Sequence, residues 1–248
     1  MWCIRRKIQC LTSRQNYIPS KLKLENAAIL SYPKTSVSNS AINNELRLTF
    51  LVSFTAAKNA KLDMVFVLGA RNPQASSDFE LEKKITKEML RQPTTGDVRY
   101  GLVVYDSEGT SRLSLKAKMS KNNVRHLLDF IPWRREGINV DKGVQTGVEL
   151  FKEVSLPGTT RIMVVFTNGR TDSSREALED AKKSSAGLGI KVIVVGLGSR
   201  VHPGQLNKLV TNRDDIILIH VMGGEDDVTR KVKEAAAAIG ETSKKGNV

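Results

Sequence analysis

The chain has 248 residues, 40% hydrophobic and 26% charged, with a formal net charge of +13. That composition fits one ordinary globular domain plus an appendage; a domain of about 180 residues buries roughly 70% of its unfolded surface and needs no disulfide staples. No apolar run reaches the ~18 residues of a membrane span, and the only cysteines, Cys3 and Cys10, lie near the N-terminus and fix no redox compartment. Residues 1–61 hold ten Lys/Arg against two acids, Glu25 and Glu45, so the basicity is mainly a property of the tail. A nucleic-acid surface calls for a basic stripe interleaved with aromatics on the folded part. Aromatics are 5% and scattered, and no nucleic-acid partner is expected.

Residues 1–47 show no sustained periodicity and are rich in Ser, Asn and Lys. They read as a disordered or mis-assigned extension, or as a targeting segment of Arg/Ser-rich, acid-poor composition. Residues 48–61 open with the apolar stretch LTFLVSFTAA behind Arg47, and Thr55 and Ala57 are small residues at signal-peptidase spacing. The stretch reads as a signal-like segment far from the start, as a buried strand or as an apolar loop.

From residue 62 to about 240 the pattern is that of a domain, with 241–248 as a tail. LDMVFVL (62–68) suits a strand buried on both faces. Phe79, Leu81, Ile85, Met89 and Leu90 sit at near-helical spacing in 76–91. VRYGLVVYD (98–106) and SRLSLK (111–116) read as a hairpin turning at 107–109. Ser120 caps a short helix to Phe130. Residues 139–154 form another helix with Val144, Val148 and Phe151 in one stripe, and RIMVVFT (161–167) is a third buried strand. Ser173 and Glu176 make a capping box for a helix to Ala186. IKVIVVGLG (190–198) is a fourth buried strand, Pro203 opens a short helix, DIILIHV (215–221) is the last strand, and Glu225, Asp226 and Asp227 begin the final helix. This alternation predicts an α/β fold: a doubly wound, mostly parallel sheet with helices on both faces and one antiparallel edge strand. Ligands in such sheets sit beyond the carboxyl ends of the strands.

In order along the chain, DMVFVL, DFELEKKI, the pair VRYGLVVY and SRLSLK, GINVDKGVQTGVELF, RIMVVFTNGRTDS and GIKVIVVGLG resemble a von Willebrand factor type A domain. The style is that of extracellular matrix members such as matrilins and the collagen VI chains. The resemblance implies a metal-ion-dependent adhesion site, with Asp-x-Ser-x-Ser in a first loop, Thr in a second and Asp in a third. Here Gly69, Arg71 and Pro73 stand at the first-loop positions, Ile138 at the Thr and Asn168 at the Asp. Gly, Pro and Ile offer no side-chain oxygen, Arg71 brings a positive charge, and a hard divalent cation needs oxygens and compensating anions. No metal and no cofactor are expected.

Gly196-Leu197-Gly198 lacks the third glycine of a dinucleotide loop. His126, His202 and His220 lie in separate segments, and no Gly-x-Ser-x-Gly elbow occurs. Asp214-Asp215 read as loop polarity and Asp226-Asp227 as helix capping. The chain is therefore expected to be non-enzymatic. Its expected ligand-binding face is Arg71, Asn72, Trp133, Arg134, Arg135, Asn139 and Asn168. The partners implied are extracellular matrix or cell-surface proteins, acidic or sulfated ligands among them. An intracellular scaffold of the same fold, with residues 1–47 as a docking tail, is the alternative.

Overall fold

The computed structural model describes residues 61–69, 76–94, 96–132, 137–154, 157–198, 201, 203–221 and 223–244. The extension, the signal-like stretch and six of the singled-out residues (Arg71, Asn72, Pro73, Trp133, Arg134 and Arg135) lie outside the described residues, as does His202.

Strand β1 (Lys61–Gly69) leads toward helix α1 (Ser76–Arg91), followed by the hairpin of β2 (Asp97–Tyr105) and β3 (Gly109–Leu113). Helices α2 (Lys121–Asp129) and α3 (Val140–Lys152) precede β4 (Thr159–Thr167), α4 (Arg175–Gly187) and β5 (Ile190–Leu197). The short α5 (Pro203–Leu206), β6 (Ile216–Ile219) and the long α6 (Glu225–Lys244) complete the domain. The sheet order is β3-β2-β1-β4-β5-β6, and only β3 is antiparallel. The expected doubly wound sheet with one antiparallel edge is therefore the observed architecture.

The strand sequences are apolar throughout because both faces are covered. Met64, Phe66 and Leu68 of β1 join Ile162, Val164 and Phe166 of β4 in a core that also takes Phe79 and Ile85 of α1 and Ala235 and Ile239 of α6. The intervening Val65 and Val67, with Met163 and Val165, face Val144, Val148 and Phe151 of α3 and Leu178 of α4. The period-two alternation thus sorts one run of residues into two cores. Each buried Val, Leu, Ile or Phe contributes about 1.5–3 kcal/mol. At the amino ends of the strands, Arg99 of β2 holds Asp63 of β1 through two 2.6 Å hydrogen bonds. The pair sits in register and is buried, so both charges are compensated where they lie.

Two local readings are corrected. The side-chain cap of α4 is Ser174, which accepts from the Ala177 amide, while Ser173 turns back to Asp141. Asp215 is not loop polarity: it is buried and pairs with Lys191 at 3.4 Å, and Lys191 also donates to the Thr242 carbonyl. Asp227 accepts from the Gly223 amide, just ahead of its helix.

Candidate functional site

The carboxyl ends of β1, β2 and β4 bring together Gly69, Tyr105 and Thr167, the three residues that open onto the loops of interest. Gly69 and Tyr105 are register partners. Tyr105 is fully buried, and its hydroxyl donates to the Phe166 carbonyl at 2.8 Å. That path crosses the place where a side chain at position 69 would project. A Cβ there would lie 2.9 Å from Tyr105 Oη and 3.1 Å from Cζ, with Glu82 Oε1 at 3.5 Å. The phenol therefore occupies the volume of the first ligand, and only glycine fits without displacement.

Glu82 approaches from α1. Its Oε2 accepts the Gly69 amide at 2.8 Å, and the residue is 4% exposed. Burial raises its pKa well above the ordinary carboxylate range; the Gly69 amide pulls the other way and Asp78 adds to the rise. Burial likewise raises the Tyr105 phenol, so it remains a neutral donor.

The second and third segments are tied directly to each other. The Asp172 amide donates to the Ile138 carbonyl at 2.8 Å, and the Ile138 amide to Asp172 Oδ2 at 3.0 Å. Thr171 Oγ1 lies 2.9 Å from the Ile138 carbonyl and 2.7 Å from Ser173 Oγ, with one proton to give to either. The Ser173 hydroxyl donates to Asp141 Oδ1. Gly169 permits the tight return, with φ +80° and the backbone of Val201 3.1 Å from where a Cβ would stand. Below, Asn139 donates from its amide to the Asp106 carbonyl and from Nδ2 to the Ser107 carbonyl.

These contacts also close the amino end of α3. The amides of Val140 and Asp141 reach Thr171 Oγ1 and Ser173 Oγ, that of Lys142 the Asn139 carbonyl, and that of Asn139 itself the Asp106 carbonyl. All four orphan donors of the helix are engaged, and the buried Asp141 sits against the positive end of the dipole. Ser173→Ala is expected to cost about 1–3 kcal/mol, because the buried Asp141 carboxyl loses its hydroxyl donor. Urea unfolding measures the loss, and hydrogen exchange should quicken at Ile138 and Asp141. An unchanged unfolding midpoint would show that the two segments hold without this link.

Of the positions predicted for ligands or metal, the structure thus brings Gly69, Ile138 and Asn168 into view. Ile138 is buried and offers backbone groups that are already bonded. Asn168 is half-buried, and its side-chain oxygen accepts from the Arg170 amide at 3.2 Å. Asn139 is half-buried and spends its amide group on Ser107. A divalent ion finds no anionic oxygen at any of the three ligand positions described, and at the first it finds a phenol in the way. The residues present do not fit the metal that the resemblance implies. Among the described residues no cluster of three His, Cys, Asp or Glu converges elsewhere. His126 and His220 are exposed and apart. Sequence reasoning did not single out Glu82, Tyr105, Asp141 or Thr171; a glutamate at an apolar helical position was the one visible signal.

The model of the von Willebrand factor type A domain matches residues 63–231. Human matrilin-1 is 27% identical over 150 residues, which cover 56% of this chain and 28% of that protein. The collagen alpha-1(VI) chain of Gallus gallus is 20% identical over 158 residues, covering 61% of this chain and 16% of that one. The chain therefore spans less than a third of the length of either relative. Among solved structures, proximal thread matrix protein 1 from the mussel byssus superposes with a TM-score of 0.59 at 15% identity, over 73% of this chain and 48% of that chain. An aerotolerance-related membrane protein from Bacteroides fragilis superposes at 0.60 with 17% identity, over 74% of this chain and 99% of that one. No helix among the described residues is long and apolar enough to cross a membrane.

Proposed function

Because the chain belongs to the von Willebrand factor type A family, we propose that it is a non-enzymatic protein-binding module of an extracellular matrix assembly, and that it holds its partner without a metal ion. The observation that carries the metal-free reading is the Tyr105 phenol standing where the first ligand would project, 2.9 Å from a Cβ at Gly69. The relation to matrilin-1 and collagen VI supports the matrix setting. The direct bonding of the Gly137–Asp141 and Asn168–Ser174 segments supports preorganisation without an ion. In this reading the partner meets the face formed by Asn139 and Asn168 together with Arg71, Asn72, Trp133, Arg134 and Arg135. The arginines give it a preference for acidic protein or sulfated glycan.

The test has two measurements. Calorimetric titration of the full chain with magnesium, manganese and calcium is expected to show no site tighter than millimolar. Capture of the chain on immobilised collagen VI, laminin and heparin is expected to survive a chelator and to weaken with salt. A stoichiometric micromolar metal site, or capture abolished by the chelator, would overturn the metal-free reading. Expression of the full coding sequence in cells tests secretion: the product is expected in the medium, beginning near Lys58. Retention inside the cell with Met1 intact would favour a scaffold role there.

A further inference from the structure

Beside the site described, the third segment, the start of α4 and the turn after α5 enclose a cavity of about 190 Å³. Its floor is apolar: Val140, Leu178, Leu206 and Leu209, all buried, line it. One wall carries the Thr171 and Ser173 hydroxyls, both fixed by the bonds to Ile138 and Asp141. Two cations from different elements stand at it, Arg175 from the first turn of α4 and Lys208 from the turn after α5.

The charges are only partly spent. Arg175 Nε donates to Glu179 Oε1 at 2.9 Å, while its two terminal nitrogens donate to no described residue. Lys208 makes no ion pair or hydrogen bond with a described residue, although its charge, with those of Arg175 and Lys183, helps hold the Glu179 carboxyl low. Glu179 engages Arg175 and Asp141 lies behind the Ser173 hydroxyl, which leaves Lys208 as the lining cation with no ion pair among the described residues.

An apolar floor below a cationic rim selects a ligand with an aliphatic stem and an anionic end. A sulfate group has no stem to bury on the floor, and an uncharged side chain gains nothing from the rim. The stem would gain from apolar burial and the end from charge-assisted hydrogen bonds. The volume admits one side chain, not a strand of peptide.

We propose that this pocket is a second recognition site, which takes a glutamate side chain of a partner protein. The carboxylate meets Lys208 and the free nitrogens of Arg175, and the methylenes lie on Leu178, Leu206 and Leu209. The inference rests on the protein-binding reading above and names the chemistry of one contact. The site needs no ion, and its wall is rigid because the third segment is bonded to α3.

Amide-resolved NMR titration of the full chain tests it, with N-acetyl-glutamate amide as probe at constant ionic strength. N-acetyl-glutamine amide and a heparin disaccharide serve as comparison arms. The expected result is saturable shifts at Thr171, Ser173, Arg175 and Lys208 from the glutamate probe alone. Lys208→Glu is expected to weaken them at least tenfold, and Arg175→Gln to weaken them less. Lys208 is only half-buried, so its variant should fold, and its spectrum shows whether it does. Absent shifts, equal shifts from the glutamine probe, or preference for the disaccharide would overturn the assignment. Failure of the broader reading looks different. Matrix proteins would then not be captured at all, while the pocket could still titrate.

Discussion

Gly69→Asp, which puts back the carboxylate that the family pattern carries, is expected to destabilise the domain by about 4–6 kcal/mol and to restore no metal site. Two effects add. The new Cβ would lie 2.9 Å from Tyr105 Oη and 3.1 Å from Cζ, and overpacking of this kind costs about 1–3 kcal/mol. The carboxylate would then be placed in a buried position beside the Glu82 carboxyl and a phenol already committed to the Phe166 carbonyl. An uncompensated buried charge adds several kcal/mol, on the order of 3, unless the group takes up a proton. Gly69→Ala isolates the steric part and should cost about 1–3 kcal/mol. Adding Tyr105→Phe to Gly69→Asp removes the nearest contact and should recover part of the loss. Urea unfolding of the four proteins gives the free energies, and calorimetry with magnesium gives the metal result. An unchanged midpoint in Gly69→Asp would show that the phenol does not hold that space. Micromolar magnesium binding in the same variant would show that one carboxylate is enough to rebuild the site.

The sheet was legible because its strands are buried on both faces. Runs such as MVFVL and IMVVF have few alternative homes, and the helices between them carry clear apolar stripes. The mostly parallel sheet and its antiparallel edge followed from the same alternation; the order of the strands came only with the structure. The departure from the family's ligand pattern at Gly69, Ile138 and Asn168 can be counted in the sequence. The contacts around those positions cannot. Tyr105 reads as the last apolar residue of a strand, and nothing in its neighbours says that its hydroxyl crosses to the Phe166 carbonyl. Glu82 stands on the apolar face of its helix, three residues from Phe79 and from Ile85, but its partner, the Gly69 amide, is visible only in the fold. Ser173 read as a helix cap by its spacing to Glu176, yet the tertiary bond to Asp141 claims it and Ser174 caps the helix in its place. The pocket at Arg175 and Lys208 joins residues more than thirty positions apart, and no local pattern links them.

Glu82 makes the domain's stability depend on pH in the direction opposite to that of a salt-bridged carboxylate. In the unfolded chain a glutamate titrates at about 4.3. In the folded domain burial holds Glu82 well above that range. Between the two values the folded state keeps a proton that the unfolded state has released. Its unfolding free energy must therefore fall as pH rises, by about 1.4 kcal/mol per pH unit from this group. Below the unfolded value both states are protonated and the group contributes nothing. Glu82→Gln removes the titration while keeping a side-chain oxygen for the Gly69 amide, so it serves as the reference. Urea unfolding of both proteins at pH 5, 6, 7 and 8 should show wild type losing ground steadily to the variant until the folded pKa is passed. The Gly69 amide should exchange faster in wild type toward high pH, because ionising the carboxyl drives it to seek water and loosens the start of the first loop. Parallel curves would mean that Glu82 is ionised in the folded domain. In that case an anion would lie beneath Gly69, and the metal-free reading would rest on Tyr105 and on the missing ligands at Ile138 and Asn168.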